Sequence, residues 1–529
     1  MNGKAQRNCV TEIRWESARE YSDPYNQIEL DVEITKPSGK TLKQPAFWNG
    51  GKNWMARVAI DELGEATYRT VCSDSADTGL QNQTGKIEVS EYVGSNPLFQ
   101  KGRLQISEDK THFVYSNGDP FFWIGDTWWM GLCKRLDFPQ GFETLTKDRV
   151  KKGFNVIQIV AGPYPDMDYG DERGMNEAGL PLSKDFKNTH PEYFDLADLK
   201  IEHLVKSGLS PCIVGMWGYY LPRIGVEGAK RFWRYLIARY GAYPVLWCIA
   251  GEGTMAYYLS QNKEEESAFQ KKGWTEVAKY IQEVDGYNTP VSIHPTRYGR
   301  EQVEDPNALD FEMLQTGHGD LESVSATAKT VQTAIEREPK MPVVNSEVNY
   351  EGIMGRTFQN TVRLSFYASV FNGAVGFTYG ANGIWQLNTP DKPYGPSPHG
   401  RCWGNTPWQE AYQLPGSREV ALGAKLLSKF PFWEMERHPE WVDYDADNPY
   451  TPTAYGISEM LRLLYTPLLW NPPKVYKVED SVTYRASYFD PISGDSIDIG
   501  KVIADQDGVW QTEVLPPEVH DWVIVMEVM

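Results

Sequence analysis

The fold of this chain is indicated by a short apolar run that ends abruptly in a carboxylate, Pro244-Val245-Leu246-Trp247-Cys248-Ile249-Ala250-Gly251-Glu252-Gly253. A second run of the same kind occurs later in the chain, Met341-Pro342-Val343-Val344-Asn345-Ser346-Glu347. A carboxylate at the end of a buried strand is unfavourable unless it is paired, hydrogen-bonded or used in chemistry. Both runs therefore predict buried strands whose carboxyl ends carry functional side chains.

These two runs belong to a series of eight short apolar segments separated by amphipathic helical patterns. The eight segments are Phe121–Ile124, Val156–Val160, Pro211–Met216, Val245–Ala250, Val291–Ile293, Phe311–Leu314, Pro342–Val344 and Ala374–Phe377. The clearest helical patterns are Tyr193–Lys206, Val226–Tyr240, Glu264–Val284, Ser323–Glu336 and Thr357–Phe371. This alternation predicts an α/β protein with a (β/α)8 TIM barrel. A doubly wound open sheet is the alternative, but its usual Gly-rich phosphate loop does not follow the first segment.

Segments with strand character flank the predicted barrel on both sides. Before it lie four strand candidates, Ile28–Ile34, Trp54–Ile60, Ala66–Ser73 and Lys86–Tyr92, which predict an N-terminal β-sandwich. After it lie Val475–Val478, Ser481–Tyr488, Ser496–Ile503 and Trp522–Val528, which predict a small antiparallel β domain. We therefore expect a sandwich over residues 1–95, a catalytic barrel over 96–431 and a C-terminal β domain over 432–529.

Composition excludes several classes of protein. The 52 basic and 71 acidic residues give a net charge of −19, which disfavours binding to nucleic acid. No apolar stretch is long enough to span a membrane, and no signal peptide is visible at the N-terminus. We expect a cytoplasmic protein, or a periplasmic or secreted one if an export signal has been removed. The six cysteines lack metal-ligand spacing and suit mostly buried thiols.

The two carboxylates at strand ends suggest glycosidic bond cleavage. That reaction needs one carboxyl group that protonates the leaving oxygen and another that attacks the anomeric carbon or activates water. Strands four and seven lie on opposite sides of a barrel mouth, so Glu252 and Glu347 are predicted to face each other across a sugar. We expect the short carboxyl spacing of about 5–5.5 Å that retaining enzymes use. Each acid taken alone also fits a loop-capping role, and Glu351 is a rival for the second position.

Other strand ends supply polar and aromatic side chains that suit sugar binding, although each also fits a packing role. The predicted substrate-binding residues are Asp126, Trp128, Tyr164, Trp217, Tyr219, His294, Arg297, His318, Tyr350, Tyr379, Asn382 and Trp385. Thr127, Asp166 and Tyr220 accompany them at the same strand ends. The acidic segment Asp166–Glu172 has alternating oxygen ligands but lacks full calcium-loop spacing, so a solvated loop is the favoured interpretation. No metal and no cofactor are expected.

At these motifs the sequence resembles the apiosidase-like glycoside hydrolases, bacterial (β/α)8 enzymes related to the clan A glycosidases. The resemblance rests on Phe121–Trp129, on His190–Asp195 with Asp198, and on the pair Glu252 and Glu347. The segment Phe47–Gly51 with Trp54 is similar to the β-sandwich that precedes such barrels, and the tail from about Phe432 is similar to a domain called collagen-binding in the same architecture.

The resemblance implies an exo-acting enzyme that removes side-chain sugars from complex polysaccharides, with apiose in pectin as the known substrate type. One position departs from the clan pattern. Clan A enzymes place Asn before the acid/base to bind the sugar 2-hydroxyl, whereas this chain has Gly251 there. The leading hypothesis is a retaining glycosidase with Glu252 as acid/base and Glu347 as nucleophile. The alternative is a carbohydrate-binding protein without catalysis. The oligomeric state is left open.

Overall fold

Eight parallel strands form the central sheet of the computed structural model, which describes residues 2–529. These barrel strands, numbered first to eighth along the chain, are Trp123–Thr127, Val156–Val160, Ser210–Val214, Leu246–Cys248, Val291–Ser292, Glu312–Gln315, Val343–Glu347 and Gly376–Tyr379. Each strand pairs with its sequence neighbours except at one place, between the fifth and sixth strands, and the eighth strand pairs with the first. The predicted (β/α)8 class is confirmed, although several strands begin or end a few residues from the predicted bounds.

The barrel has one gap, between its fifth and sixth strands, where a few hydrogen bonds replace regular β-sheet pairing. Asp310 accepts a hydrogen bond from the Val291 amide at 2.9 Å through its side chain and donates its own amide to the Val291 carbonyl at 2.8 Å. The Ser292 hydroxyl donates to the Phe311 carbonyl at 2.6 Å. These bonds satisfy backbone groups that the short fifth strand leaves unpaired, so the barrel is nearly closed.

Within residues 2–529, seven long α-helices follow the barrel strands and cover the outside of the sheet, besides the two four-residue helices Leu221–Ile224 and Trp408–Ala411. They are Gln140–Lys152, Pro191–Lys206, Val226–Tyr240, Lys263–Val284, Leu321–Glu336, Gln359–Val370 and Pro415–Leu427. The fifth strand is followed instead by two 3-10 turns, Gly299–Gln302 and Pro306–Ala308. None of the helices in this part of the chain is long and apolar enough to cross a membrane.

The N-terminal region consists of two sheets that pack face to face. One contains, in spatial order, Asn2–Gln6, Thr84–Ser90, Gly64–Cys72, Leu30–Thr35 and Thr41–Pro45; the other contains Val10–Glu16, Asn53–Ala59 and Phe47–Trp48. Alternate residues of both sheets form one apolar core, as a sandwich requires. A buried ion-pair network then joins the sandwich to the barrel, because Arg57 and Arg239 both contact Asp198, at 2.6 and 2.7 Å.

The C-terminal region is an antiparallel six-stranded sheet. Its strands, in spatial order, are Glu436–Arg437, Thr453–Ile457, Leu461–Thr466, Trp522–Val528, Tyr484–Phe489 and Ser496–Lys501. The prediction of a strand over Val475–Val478 was wrong, since this segment makes only an isolated bridge from Val475 to Trp510. The sheet packs on the barrel helices through Tyr465, which stacks on Tyr367 with ring centres 4.0 Å apart.

A small three-stranded sheet connects the sandwich to the barrel and closes the amino-terminal end of the barrel interior. Its strands are Leu104–Ile106, Phe113–Tyr115 and Pro120–Phe121. The Phe113 ring packs against Trp123 and Phe311, with centroids 5.8 and 5.3 Å away. The apolar core therefore fills one end of the barrel and leaves the carboxyl ends of the strands for a functional site.

Candidate active site

A cavity of about 260 Å³ opens at the carboxyl ends of the barrel strands. Its aromatic lining is Trp129, Trp217, Tyr258, Tyr350, Trp385 and Trp403. Its polar lining is Asp166, Glu252, Gln315, His318, Glu347 and His399. Aromatic walls with a few convergent polar groups are typical of small-ligand sites. The structure thus brings the two acids predicted from the sequence into one cavity.

Glu347 ends the seventh barrel strand and is held by four side chains. Its Oε2 accepts a hydrogen bond from the Tyr350 hydroxyl at 2.6 Å and lies 3.1 Å from Nε2 of His294. Its Oε1 accepts from Nε2 of Gln315 at 2.9 Å and lies 2.9 Å from Nε2 of His318. Burial works to raise the pKa of Glu347, but the hydrogen bonds from His294 and His318 outweigh it and hold the pKa well below the usual range.

Glu252 follows the fourth barrel strand in a left-handed backbone conformation, with φ of 44°. Such a backbone conformation is unfavourable for a residue other than glycine, and active sites are one place where residues are held in it. Its carboxyl group has few partners: Nε1 of Trp217 lies 3.1 Å from Oε2, and Nε2 of Gln315 lies 3.4 Å from Oε1. Burial, followed by the nearby charges of Glu347 and Asp166, raises the pKa of Glu252 to about 8.

The two acids therefore have opposite electrostatic environments within one cavity. Glu347 is ionised at neutral pH because its four partners stabilise the charged form, whereas Glu252 keeps its proton because few groups compensate its charge. A pair of carboxyl groups with separated pKa values can divide nucleophilic and proton-donating roles between them. The arrangement is chemically competent for displacement at a carbon whose leaving oxygen must be protonated.

The raised pKa of Glu252 predicts a pH-dependent gain in stability for Glu252→Gln. Between pH 4.5 and about 8 the unfolded chain releases this proton while the folded chain keeps it, so the free energy of unfolding falls as pH rises. Glutamine has no charge to bury. We expect the variant to exceed the wild type by about 2–4 kcal/mol at pH 8 and by little at pH 4.5. Scanning calorimetry at pH 4.5 and at pH 8 measures the difference in stability between the variant and the wild type. The same difference at both pH values would contradict the raised pKa of Glu252.

The glycine before Glu252 is required by the packing of Trp217. A Cβ atom at Gly251 would lie 2.2 Å from the Trp217 ring. The two residues also form a parallel backbone bridge between the loops after the third and fourth strands. Trp217 thus occupies the space that a side chain at position 251 would need, and its Nε1 donates a hydrogen bond to Glu252 at 3.1 Å.

This packing predicts that Gly251→Asn, which restores the clan residue, damages the site. The new side chain must displace the Trp217 ring, and Glu252 then loses its hydrogen bond from Nε1. We expect kcat to fall by about 100-fold or more, together with a loss of about 1–3 kcal/mol in stability from overpacking. Kinetics and thermal unfolding measure both effects. Activity equal to that of the wild type would show that Trp217 has room to move.

Asp166 is a third acid in the cavity, and it also joins loops at the cavity rim. Its Oδ1 accepts hydrogen bonds from the Ser397 hydroxyl at 2.7 Å and the Tyr258 hydroxyl at 2.8 Å. Nε1 of Trp403 donates to Ser397 at 3.1 Å. Burial raises the pKa of Asp166 above its usual range. The loops after the second, fourth and eighth strands are therefore fixed around one carboxyl group.

Of the twelve residues predicted to bind substrate, five lie at the site. Trp217, His318, Tyr350 and Trp385 line the cavity, and His294 contacts Glu347 directly. Among the residues predicted only as companions, Asp166 also lines the cavity. These positions are where the strand-end argument expects ligand-binding groups.

The other seven predicted binding residues lie outside the cavity lining, which corrects the expectation for them. Asp126 is fully buried and accepts hydrogen bonds from Arg149 at 2.5 Å and Trp128 at 2.7 Å, so both Asp126 and Trp128 face the surrounding helices. Arg297 is exposed and packs over Tyr298 at 5.2 Å.

The remaining four have structural partners around the loops. Tyr164 bonds the hydroxyl of Tyr193, and Tyr219 donates to the Tyr164 carbonyl at 3.0 Å. Asn382 donates to the Trp403 carbonyl at 2.9 Å and so supports a cavity residue indirectly.

The rival acid Glu351 is turned away from the cavity. It accepts a hydrogen bond from the Tyr379 hydroxyl at 2.5 Å and another from the Gly416 amide at 3.1 Å. Tyr379 is the last of the seven predicted binding residues that lie outside the cavity lining. Glu347 therefore stays the candidate for the second catalytic position, while Glu351 joins the eighth strand to the last barrel helix.

Residues 2–529 contain no cluster of three or more acidic, histidine or cysteine side chains arranged to hold a metal ion. The acidic side chains of the segment after the second strand point to different places and have different partners. Asp166 enters the cavity, Asp168 bonds Tyr257, and Asp171 pairs with Arg173 at 2.6 Å. The six cysteines, all in the described part of the chain, are free thiols.

The sequence patterns missed several cavity residues. Gln315 ends the sixth strand and follows the same rule that identified Glu252 and Glu347, so a search for amides at strand ends would have found it. Trp129 adjoins the predicted Trp128. Tyr258, His399 and Trp403 lie in long loops that have no repeating pattern, and nothing in the sequence distinguishes them from other loop residues.

The sequence of residues 107–434 matches the model of the apiosidase-like catalytic domain, and this match covers more than half of the chain. The chain belongs to the apiosidase-like family. This apiosidase-like protein is therefore a glycoside hydrolase, as the motifs around Glu252 and Glu347 predicted. A domain of unknown function, DUF5060, matches residues 5–73 within its N-terminal sandwich. No protein of curated function matches the apiosidase-like chain in sequence.

Solved structures with the same fold include glycoside hydrolases. One glycoside hydrolase has a TM-score of 0.67 and 23% identity over 82% of this apiosidase-like chain and 98% of its own. A family 5 glycoside hydrolase from Bacteroides vulgatus ATCC 8482 has the same score and identity over 83% and 95%. A further protein from that organism has a TM-score of 0.71 over 100% of both chains at 16% identity. These likenesses establish the shared architecture.

Proposed function

We propose that this apiosidase-like protein is a retaining, exo-acting glycosidase with Glu347 as nucleophile and Glu252 as acid/base. The supporting observation is that one nitrogen, Nε2 of Gln315, lies 2.9 Å from Glu347 and 3.4 Å from Glu252. Those two distances limit the separation of the two Oε1 atoms to 6.3 Å. Retaining enzymes have carboxyl groups about 5–5.5 Å apart, and inverting enzymes need about 6.5–9.5 Å to admit water.

In the first step, a Glu347 oxygen forms a bond to the anomeric carbon while the bond to the leaving oxygen breaks. Glu252 transfers its proton to that oxygen and becomes a carboxylate. In the second step, this carboxylate removes a proton from water, the water oxygen attacks the anomeric carbon, and the bond to Glu347 breaks. The separated pKa values of the two acids give each the protonation state that its first-step role requires.

The cavity supports a single uncharged sugar as the group that is removed. Its volume of about 260 Å³ lies below the range of about 300–1,000 Å³ for drug-sized ligands. Within residues 2–529 the lining includes Asp166, Glu252 and Glu347, with two histidines but no Arg or Lys, so an acidic or sulfated sugar would meet carboxyl groups without a permanently charged cation. Apiose, the sugar of the family name, is a small uncharged pentose.

Four of the predicted binding residues, together with Asp166, have proposed binding roles in this cavity. Trp217, Tyr350 and Trp385 offer aromatic surfaces for the C–H faces of the ring. His318 lines the cavity beside Glu347, where a hydroxyl group next to the reacting carbon would be, whereas His294 is fully buried and holds Glu347 from outside the cavity lining. Asp166 accepts hydrogen bonds from Ser397 and Tyr258 through Oδ1, and its proposed role is to accept a further one from a sugar hydroxyl through Oδ2.

A panel of 4-nitrophenyl glycosides tests the proposal when it is combined with NMR of the first-formed anomer. The panel contains neutral pentosides, deoxyhexosides and hexosides, with glucuronides and galacturonides as the charged set. We expect hydrolysis of a neutral member with retention at the anomeric carbon. Inversion would refute Glu347 as the nucleophile, uronide hydrolysis would refute the uncharged sugar, and binding without turnover would support the carbohydrate-binding alternative.

The pKa values of the two acids predict the pH dependence of kcat/KM. Glu252 must be protonated, so the rate should fall as pH rises through about 8. Glu347 must be ionised, and its lowered pKa keeps the rate nearly constant down to pH values below its ordinary 4.5. Initial rates on the best 4-nitrophenyl glycoside between pH 4.5 and 9.5 measure this profile. A basic limb near pH 5 would contradict the assignment of Glu252.

A further inference from the structure

The fourth barrel strand cannot supply the amide that the clan pattern uses to bind the sugar 2-hydroxyl. Gly251 occupies that position, and a Cβ atom there would lie 2.2 Å from the ring of Trp217. A side chain at this point is therefore excluded by packing as well as by sequence. If the 2-hydroxyl is bound by an amide in this protein, the amide must come from another strand.

The sixth strand ends in an amide, Gln315, which a β-bulge brings beside the nucleophile. Leu314 pairs with Asn345, but the next pair is Gln315 with Glu347, so Ser346 is the extra residue of the seventh strand. Ser346 stabilises this irregularity by donating its hydroxyl to the Leu314 carbonyl at 2.8 Å. Bulges redirect side chains and are common next to active sites. Here the bulge places Gln315 and Glu347 side by side.

The two ends of the Gln315 amide have different environments. Nε2 donates to Glu347 at 2.9 Å and lies 3.4 Å from Glu252, so the amide lies between the two acids. Oε1 is buried and has no hydrogen-bond partner among residues 2–529. A buried acceptor without a donor is unfavourable and rare in folded proteins. Gln315 lines the cavity, so a hydroxyl donor bound there would reach Oε1 after a small rotation of the amide.

We infer that Gln315 binds the 2-hydroxyl of the sugar, with Oε1 accepting from that hydroxyl while Nε2 holds Glu347. This inference rests on the proposed retaining function. An anomeric carbon in reach of both Glu347 and Glu252 lies next to Gln315, and the 2-hydroxyl is on the adjacent ring carbon. The contact would strengthen in the transition state, as hydrogen bonds to this hydroxyl generally do in glycosidases. The accepted substrates are then sugars with a free 2-hydroxyl, and 2-deoxy and 2-acetamido sugars are excluded.

The test compares the 4-nitrophenyl glycoside that is hydrolysed fastest in the panel with its 2-deoxy counterpart. Gln315→Leu removes the amide and keeps the approximate volume. We expect kcat for the 2-hydroxy substrate to fall about 100-fold or more in this variant, and kcat for the 2-deoxy substrate to fall by about tenfold or less, because that substrate is affected only through the lost hydrogen bond to Glu347. The ratio of the two effects cancels the different intrinsic reactivities of the substrates.

Gln261→Leu is the matched control, because Gln261 is exposed and its one side-chain hydrogen bond is to a neighbouring carbonyl. It should leave both rates unchanged. If Gln315→Leu does not fold, Gln315→Ala replaces it in the same comparison. An equal fall with both substrates would show that Gln315 only positions Glu347, and would overturn the inference while the retained anomer still supports the proposed function. An inverted anomer or no hydrolysis of any glycoside would defeat both.

Discussion

Replacing Glu347 with glutamine should lower kcat by on the order of 10⁴-fold or more while leaving the fold intact. Glutamine keeps the volume of the side chain and its one oxygen can still accept a hydrogen bond from Tyr350 or from Gln315, but it cannot form the covalent intermediate. The loss should fall on kcat, because the cavity walls that bind the sugar are unchanged. Single-turnover kinetics with the best 4-nitrophenyl glycoside measure the effect, and circular dichroism checks the fold.

Glu351→Gln is the control for this substitution, since Glu351 lies four positions along the same loop and bonds Tyr379 and Gly416 outside the cavity. It should keep kcat within about tenfold of the wild type. A second variant, Glu347→Gly, should regain turnover with azide and a 2,4-dinitrophenyl glycoside and give a glycosyl azide of inverted configuration. Normal turnover by Glu347→Gln, or a larger loss in Glu351→Gln, would remove Glu347 from the nucleophile position.

The barrel could be predicted from the sequence because its strands are buried on both faces. Such strands form short continuous apolar runs, which differ from the 3.6-residue period of the helices between them. Two helices, Gln140–Lys152 and Pro415–Leu427, were not among the clearest patterns. Both carry several charged side chains, and in the first these include Arg149, which is fully buried through its ion pair with Asp126.

The sequence predicted which strand ends carry the site, but it did not predict which residue at each strand end faces the cavity. Successive residues of a strand face opposite sides of the sheet, so an error of one position exchanges the barrel interior for the helix layer. Trp128 packs edge-on against Phe142 of the first helix, whereas its neighbour Trp129 lines the cavity. In the same way Asp126 bonds Arg149 instead of a ligand. The sequence does not contain the local twist that fixes which neighbour faces inward.

Long loops contribute the part of the site that no pattern predicted. Tyr258 meets Ser397 and Trp403 around Asp166, although Tyr258 and Asp166 are far in the chain from the other two and from each other. Their contacts depend on the paths of loops without periodic structure, and these paths are set by tertiary packing. A bulge between Leu314 and Gln315 has the same origin, since no residue type in that segment requires it.

Replacing Glu252 with alanine should have an effect that depends on the leaving group. A poor leaving group, such as a sugar hydroxyl, must be protonated as the glycosidic bond breaks, so we expect its kcat/KM to fall by about 10³-fold or more. A 2,4-dinitrophenyl group leaves without protonation, so its first step should slow much less. Its second step still needs a base to activate water, and the covalent intermediate should accumulate. Mass spectrometry of the reacting enzyme detects this intermediate on Glu347.

Azide distinguishes Glu252 from a residue that only shapes the cavity. In Glu252→Ala the anion should enter the space left by the carboxyl group, accelerate turnover of the 2,4-dinitrophenyl glycoside and give a glycosyl azide of retained configuration. The fall in rate near pH 8 should also disappear, because the group whose pKa is raised to about 8 is absent. Asp166→Asn is the comparison, since Asp166 lines the same cavity. An azide product from Asp166→Asn but not from Glu252→Ala would assign the acid/base to Asp166 instead.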